Sequence, residues 1–244
     1  MVISKSNRNY NIHRDDEIIP INQIFGIGRN YVAHAAEQGL EAPDRPMVFT
    51  KNVMSVCCDG DDIVIPPIAR DEGSGGNQTD FEAELAMIIG KDCKDVSREN
   101  AMEYVLGFTC ANDVSARWWQ KKGSGGQFCR GKGFDTFCPL GPRVVTLEDL
   151  KANGHDVKDL RVVCRVNGEV MQDATTAQMM FPVDVLIEEL SKGTTLVAGT
   201  VILTGTPSGV GMAREPAVWL QDGDVVEVEI DGIGILRNQV RFGH

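Results

Sequence analysis

Residues 161–172 read RVVCRVNGEVMQ, and residues 225–240 read VVEVEIDGIGILRNQV. In each stretch, two β-prone runs rich in valine flank an Asn-Gly or Asp-Gly pair. That pair is the signal of a two-residue hairpin turn, because both central residues must adopt positive φ. Two hairpins are therefore expected, Arg161–Val166 with Glu169–Gln172, and Val225–Ile230 with Ile233–Val240. Further strands are expected over Asp62–Ile65, Phe81–Ile89, Gly107–Ala111 and Thr200–Thr204. The helical signals are fewer and shorter. Asn30 is placed to cap a helix over Tyr31–Gln38, Ser97 to cap one over Arg98–Leu106, and Pro182 to open one running through Glu189, with Gly193 beyond its end. Strands outnumber helices and come as hairpins without a βαβ alternation. The pattern indicates an α+β, β-rich fold, mainly antiparallel, with a few short helices.

The chain has 244 residues, 42% of them hydrophobic, enough for one large domain. An arm over residues 1–20 followed by one large domain over 21–244 is the expected division. With 24 basic and 35 acidic residues the net charge is -11. That balance argues against nucleic acid and against an anionic membrane surface as main partners. An anionic small molecule would need a metal or a local cluster of Lys and Arg. The sequence has no apolar run of membrane-spanning length, and the first residues lack the apolar core of a signal peptide. Seven cysteines, an odd number without a C-x-x-C pair, indicate neither a disulfide framework nor a zinc site. They are expected to be mostly buried thiols in a reducing compartment, the cytoplasm by default or an organelle matrix.

Two glycine-rich segments, 73–76 and 123–126, read as loops beside candidate functional segments. Either could be a lid or a plain connection. Gly26-Ile27-Gly28 does not continue into a dinucleotide fingerprint, since Tyr31 stands where the third glycine belongs, and no phosphate loop or nucleophile elbow is present.

Four segments carry chemistry. In DFEAELAMIIG (80–90), Glu82 and Glu84 are two apart, so a strand would project both carboxylates from one face. Side by side they repel unless a proton or a cation intervenes, and a hard cation such as magnesium or manganese suits them. Taken alone, the pair equally suits a solvated strand face. In GRNYVAHAAEQG (28–39), His34 and Glu37 lie on one helical face, as a general-base dyad or as an ordinary polar pair. In DVSARWWQ (113–120), Asp113 follows an expected strand. Arg117 and Gln120 would share its face on a helix, and Arg117 could clamp a carboxylate. In TGTPSGVG (204–211), glycines allow close backbone approach to a ligand, and Thr206 offers a hydroxyl and an N–H.

Together, GRNYxxHxxE, E-x-E before an apolar strand, D-x-S-A-R-x-x-Q, a lone Lys132 before F-x-x-x-C-P, and T-G-T-P-x-G-V resemble the fumarylacetoacetate hydrolase family. Order and spacing match from about Ile24 to Val240. The stretches GKGFDTFCPLGP (131–142) and REPAVWLQDGDVVEVEI (214–230) are most similar to its domain-containing protein 2 group. Trp118 departs from the pattern, standing where an Asp is usual, and is expected to alter the pocket rim. The glycine-rich insert at 73–78 is longer than in many relatives. The larger N-terminal domain of the longest family members is not expected in this chain.

The resemblance implies a mixed β-sandwich roll, usually a homodimer. It implies that Glu82, Glu84 and Asp113 hold one Mg²⁺ or Mn²⁺, and that Lys132 stabilises charge on the substrate. His34 and Glu37 would form a water-activating or proton-shuttling dyad, on a segment that orders with ligand. Arg117, Gln120 and Thr206 would position a small 2-oxo acid. A metal-held enolate is common to three reactions: oxaloacetate keto–enol tautomerisation, oxaloacetate decarboxylation and acylpyruvate hydrolysis. A catalytically silent metal- or ligand-binding scaffold is the alternative.

Overall fold

The computed structural model describes residues 1–6, 9–39 and 41–244, so residues 7 and 8 of the expected N-terminal arm lie outside it. Its centre is a mixed seven-stranded sheet. In spatial order the strands are Met47–Thr50, Gln23–Gly28, Thr200–Leu203, Ala83–Ile89, Val105–Asn112, Cys138–Val145 and Val56–Cys58. A five-stranded sheet, ordered Glu169–Thr175, Arg161–Val166, Val225–Ile230, Gly234–Phe242 and Asp62–Ile65, packs on one face. A three-stranded sheet built from Val2–Ser6, Asn9–Arg14 and Glu17–Pro20 covers part of the other. The β-rich fold expected from the hairpins, as the mixed β-sandwich that the resemblance implies, is the fold observed.

The strand Ala83–Ile89 shows why the centre forms. Leu85, Met87 and Ile89 join the cluster shared with Val162, Val228 and Leu236 of the five-stranded sheet. Ala86 and Ile88 point the opposite way, into a second cluster with Tyr10, Ile12 and Ile19 of the N-terminal sheet. Alternate residues thus feed two cores, and the strand reads as one continuous apolar run because both its faces are covered.

The Asn167-Gly168 turn forms as expected. Both residues have positive φ, 52° and 82°, and Val166 pairs with Glu169 across it. The second hairpin is one residue longer at its turn. Ile230 pairs with Gly234, and Ile233 is tucked into the core instead of opening the strand. Burial of an isoleucine outweighs the two-residue turn there.

The expected helices need correction at their starts. The first spans Val32–Glu37 with Tyr31 at its N-cap and no side-chain cap. Asn30 is used elsewhere: its amide donates to Phe181 O (2.9 Å) and Thr204 O (2.7 Å) and accepts from Phe181 N (2.8 Å). Arg98–Tyr104 is a 3-10 helix with Ser97 at its N-cap position but no side-chain cap bond, and Leu106 already belongs to the next strand. The helix after Pro182 spans Val183–Ser191, and Gly193 beyond it has φ +67°. Five cysteines are buried, Cys58 is half-buried and Cys129 exposed, and all are free thiols. Among the described residues no helix is long and apolar enough to cross a membrane.

Both glycine-rich loops pack against Trp118. A Cβ at Gly123 would come within 2.2 Å of its indole, and one at Gly75 within 3.3 Å. Trp118 also stacks edge-on with Trp119, ring centroids 4.9 Å apart. It does not line the cleft described below. Gly123→Ala is therefore expected to destabilise the fold by about 1–3 kcal/mol through overpacking. Denaturant unfolding checks this, and an unchanged midpoint would show that the loop yields freely.

Candidate metal centre and active-site cleft

The edge-to-edge pairing of Ala83–Ile89 with Val105–Asn112 sets the site. Glu84 pairs with Ala111 and Ala83 with Asn112, which puts Asp113 just past the strand end beside both glutamates. The strand begins at Ala83, not Phe81, because side chains take the preceding N–H groups. Asp80 accepts from Phe81 N at 2.9 Å, and Asn112 accepts from Glu82 N at 3.0 Å. Glu82 nevertheless keeps the period of the strand, and Asp113 N donates to its carbonyl at 2.8 Å. Glu82, Glu84 and Asp113 are all buried, and an oxygen from each lies within 4.8 Å of the others.

Cations surround this triad. Lys132, on the short helix Phe128–Lys132, is 1% exposed. Its ammonium donates to Glu82 Oε2 (2.7 Å), Asp113 Oδ2 (2.6 Å) and Ser115 Oγ (2.7 Å), which uses all three donors. Lys51 Nζ donates to the other oxygen of Asp113 at 2.5 Å. Arg117 Nη1 donates to Glu82 Oε1 at 2.6 Å and to Gln120 Oε1 at 3.0 Å, while its Nε donates to Asp80 Oδ2 at 2.8 Å. Arg117 thus turns towards Asp80 and Glu82 rather than sharing a helical face with Asp113, since only Arg117–Gln120 is helical. Gln120 completes the same cluster.

Glu84 differs from its neighbours. Among the described residues its only hydrogen bond is from Gly205 N, at 2.6 Å. Burial, then the charges of Asp113 and Glu82, push its carboxyl well above the usual range. Burial disfavours the Glu82 carboxylate too, but Lys132 and Arg117 more than offset that and hold it well below the usual range. Lys132 is likewise disfavoured by burial, and the Asp113 and Glu82 charges raise its pKa overall. The triad is thus a compact set of hard oxygen donors carrying more negative charge than its neighbours fully compensate. That donor set fits a divalent cation of the magnesium or manganese type.

His34 and Glu37 stand across the cleft. His34 Nδ1 donates to Glu37 Oε1 at 2.6 Å, and Gly209 N donates to Glu37 Oε2 at 2.8 Å, so the loop 204–211 fixes the carboxylate. With that proton on Nδ1, Nε2 is the acceptor, and it lies 2.8 Å from the Gln38 amide nitrogen. His34 is 4% exposed. The Thr206 hydroxyl is already used: it donates to Ala83 O at 2.9 Å and accepts from Gln172 Nε2 at 2.7 Å. The cleft is lined by Arg29, His34, Glu82, Arg117, Lys132 and Thr206 among others. All nine residues singled out from the sequence are thus brought into one region.

Several residues at the site were not singled out. Asp80 is fully buried and also accepts from Gly211 N (2.7 Å) and Met212 N (3.0 Å), so it ties Arg117 to the 204–211 loop. Its signal was present, since Asp80, Glu82 and Glu84 alternate along one strand period. Lys51, Ser115, Gln172 and Gln38 had no such signal, because their roles rest on contacts far apart in the sequence or on the local path of a loop.

A sequence profile described as fumarylacetoacetate (FAA) hydrolase C-terminal matches residues 23–241. The chain belongs to this family. It is 46% identical over 218 residues to the mitochondrial oxaloacetate tautomerase fahd2 of Xenopus laevis, covering 89% of this chain and 65% of the relative. It is 44% identical over 219 residues to the mitochondrial oxaloacetate tautomerase FAHD2A of Homo sapiens, covering 90% and 66%. The chain thus spans just under two thirds of the length of these curated relatives. Among solved structures, fumarylpyruvate hydrolase from Pseudomonas aeruginosa, in complex with Mn²⁺ and pyruvate, superposes with a TM-score of 0.81 at 26% identity. That likeness covers 98% of this chain and 99% of the other.

Proposed function

We propose that this chain is a divalent-metal-dependent enzyme that interconverts the keto and enol forms of oxaloacetate or a similar small 2-oxo acid, with residues 21–244 as the catalytic unit. The observation that carries this is the convergence of a buried three-carboxylate centre, a buried lysine and a His–Glu pair on one cleft. The tautomerases among the relatives point to the same chemistry.

A divalent cation on Glu82, Glu84 and Asp113, Mg²⁺ or Mn²⁺, supplies a Lewis acid for the keto oxygen of the substrate. Lys132, which in the structure donates to Glu82, Asp113 and Ser115, would be free to turn from the two carboxylates to the substrate if they held the cation, with Ser115 keeping it in place. Its ammonium then faces the oxygen on which enolate charge develops, so its stabilisation grows towards the transition state. His34 exchanges its Gln38 contact for the substrate, and Nε2 takes the proton from the carbon next to the ketone and returns it to the enolate oxygen, which gives the enol; the reverse order gives the ketone. Glu37, held by Gly209, keeps Nδ1–H in place and stabilises the imidazolium that forms. Arg117, itself bonded to Gln120, holds Glu82 and borders the bound acid. Thr206, with its hydroxyl engaged, offers its backbone N–H.

Hydrolysis of acylpyruvates is a second reading, favoured by the intact His34–Glu37 pair, which could equally activate a water. A homodimer in a reducing compartment, cytoplasm or organelle matrix, completes the proposal. The test is a panel of enol-oxaloacetate, keto-oxaloacetate and acylpyruvates with added Mg²⁺ or Mn²⁺. Fast ketonisation with no pyruvate released from acylpyruvates is the expected result, whereas pyruvate release without ketonisation would select the hydrolase. His34→Asn is expected to lower kcat about 10²- to 10³-fold with KM little changed. A variant of wild-type kcat would remove His34 from the chemistry.

A further inference from the structure

Arg29 is the residue of the cleft that the scheme above leaves without a task. It is half-buried and lines the same cleft as His34, Glu82 and Lys132. Unlike Lys51, Arg117 and Lys132, it has no hydrogen-bond or ion-pair partner among the described residues. Its backbone is in the left-handed region, φ +56°, which a side chain with a Cβ adopts at a cost. The neighbouring structure enforces that conformation. Asn30 is bonded to Phe181 and Thr204 through its side chain, and its carbonyl accepts from Met180 N. Gly205 packs so closely that a Cβ there would lie 2.6 Å from the Asn30 Cβ. In a chain of net charge -11, a strained turn presenting an unpaired guanidinium to the cleft is a local exception.

The geometry points to Arg29 as the specificity residue that binds the second, distal carboxylate of a 2-oxo dicarboxylic acid, so that the cleft prefers diacids to monoacids. The inference rests on the proposed 2-oxo acid chemistry for the orientation of the ligand. With the 2-oxo acid head at the carboxylate and Lys132 end, a four-carbon diacid puts its other carboxylate two C–C bonds, about 1.5 Å each, from the keto carbon. A planar guanidinium is suited to meet it with two parallel hydrogen bonds.

The test compares oxaloacetate with 2-oxobutyrate, which has the same four carbons and a methyl in place of the distal carboxylate. Calorimetric binding to the metal-loaded protein is measured for the wild type, Arg29→Asn and Arg29→Lys. Asparagine tolerates positive φ, so the turn is retained, and lysine keeps the charge at unchanged backbone cost. The wild type is expected to bind oxaloacetate about 10- to 100-fold more tightly than 2-oxobutyrate. Arg29→Asn is expected to lose that preference while its affinity for 2-oxobutyrate stays within about twofold, and Arg29→Lys to keep part of it. A wild type without preference for the diacid, an unchanged preference in Arg29→Asn, or equal losses for both ligands would each overturn the assignment. Turnover separates the two claims. A preference that depends on Arg29 in a protein that fails to tautomerise oxaloacetate would support the assignment and sink the activity. Tautomerisation with Arg29→Asn indifferent would do the reverse.

Discussion

Lys132→Met should abolish most turnover and yet leave the protein binding its metal at least as tightly as the wild type. In the structure Lys132 spends its ammonium on Glu82, Asp113 and Ser115. It is thus both a stabiliser of developing negative charge and a competitor for two of the three metal-binding carboxylates. Removing a donor aimed at an oxyanion typically costs about 10²- to 10³-fold in kcat. Removing the competitor acts in the opposite sense on metal affinity, because Glu82 and Asp113 are left with less positive charge nearby. Methionine suits the site because it keeps most of the buried stem against Phe49, whose ring centre is 5.0 Å from Nζ. Steady-state kinetics together with metal titration check both halves. A variant that loses metal affinity along with kcat would show that Lys132 shapes the metal site and does not oppose the metal.

The second large effect belongs to Glu84. Among the described residues its carboxyl has one hydrogen bond, from Gly205 N, and no cation in direct contact, whereas Glu82 and Asp113 each have two partners of opposite charge. Burial and the adjacent carboxylates disfavour its charged form, so without a metal the charge at this position is a cost to the fold. Glu84→Gln removes that cost and one of three oxygen ligands. Metal affinity is expected to fall by more than about a hundredfold, since even outer-shell partners are worth about 10- to 100-fold. The metal-free variant should be as stable as the metal-free wild type or more so, while the rise in Tm that Mg²⁺ or Mn²⁺ gives the wild type disappears. Calorimetric scans with and without metal separate these outcomes. A metal-free variant clearly less stable than the wild type would mean that Glu84 serves the fold first.

What could be read in advance followed the range of the interactions involved. The Asn167-Gly168 hairpin was legible because a two-residue turn fixes its own φ angles and register. The continuous apolar run after Glu84 was legible as a strand, although its two covering layers were not, because they come from residues 10–19 and 162–236. Asn30 and Ser97 look like helix caps locally. Asn30 instead serves a tertiary clamp between two distant loops, a use that no local pattern announces. The metal triad was only half visible: Glu82 and Glu84 share a strand period, but Asp113 reaches them through the register that pairs Glu84 with Ala111. Asp80 continued the same period and could have been found. Lys51 could not, because what distinguishes it from any lysine after a strand is its contact with Asp113, 62 residues away. Trp118 was noted as a departure and expected at the pocket rim. It packs against both glycine-rich loops instead, which accounts for the absence of a side chain at Gly123, whereas Gly75 is called for by its φ of +74°.

The most direct test of the metal-centred enol chemistry is the rate of enol-oxaloacetate ketonisation after exhaustive chelation, followed by stepwise return of Mg²⁺ or Mn²⁺. The expected result is loss of nearly all enzymatic rate on chelation and full recovery at about one equivalent of metal per chain in the wild type, with no recovery in Glu84→Gln at the same metal concentration. Ketonisation that persists in the chelated protein, or that recovers equally in Glu84→Gln, would contradict a catalytic metal on Glu82, Glu84 and Asp113.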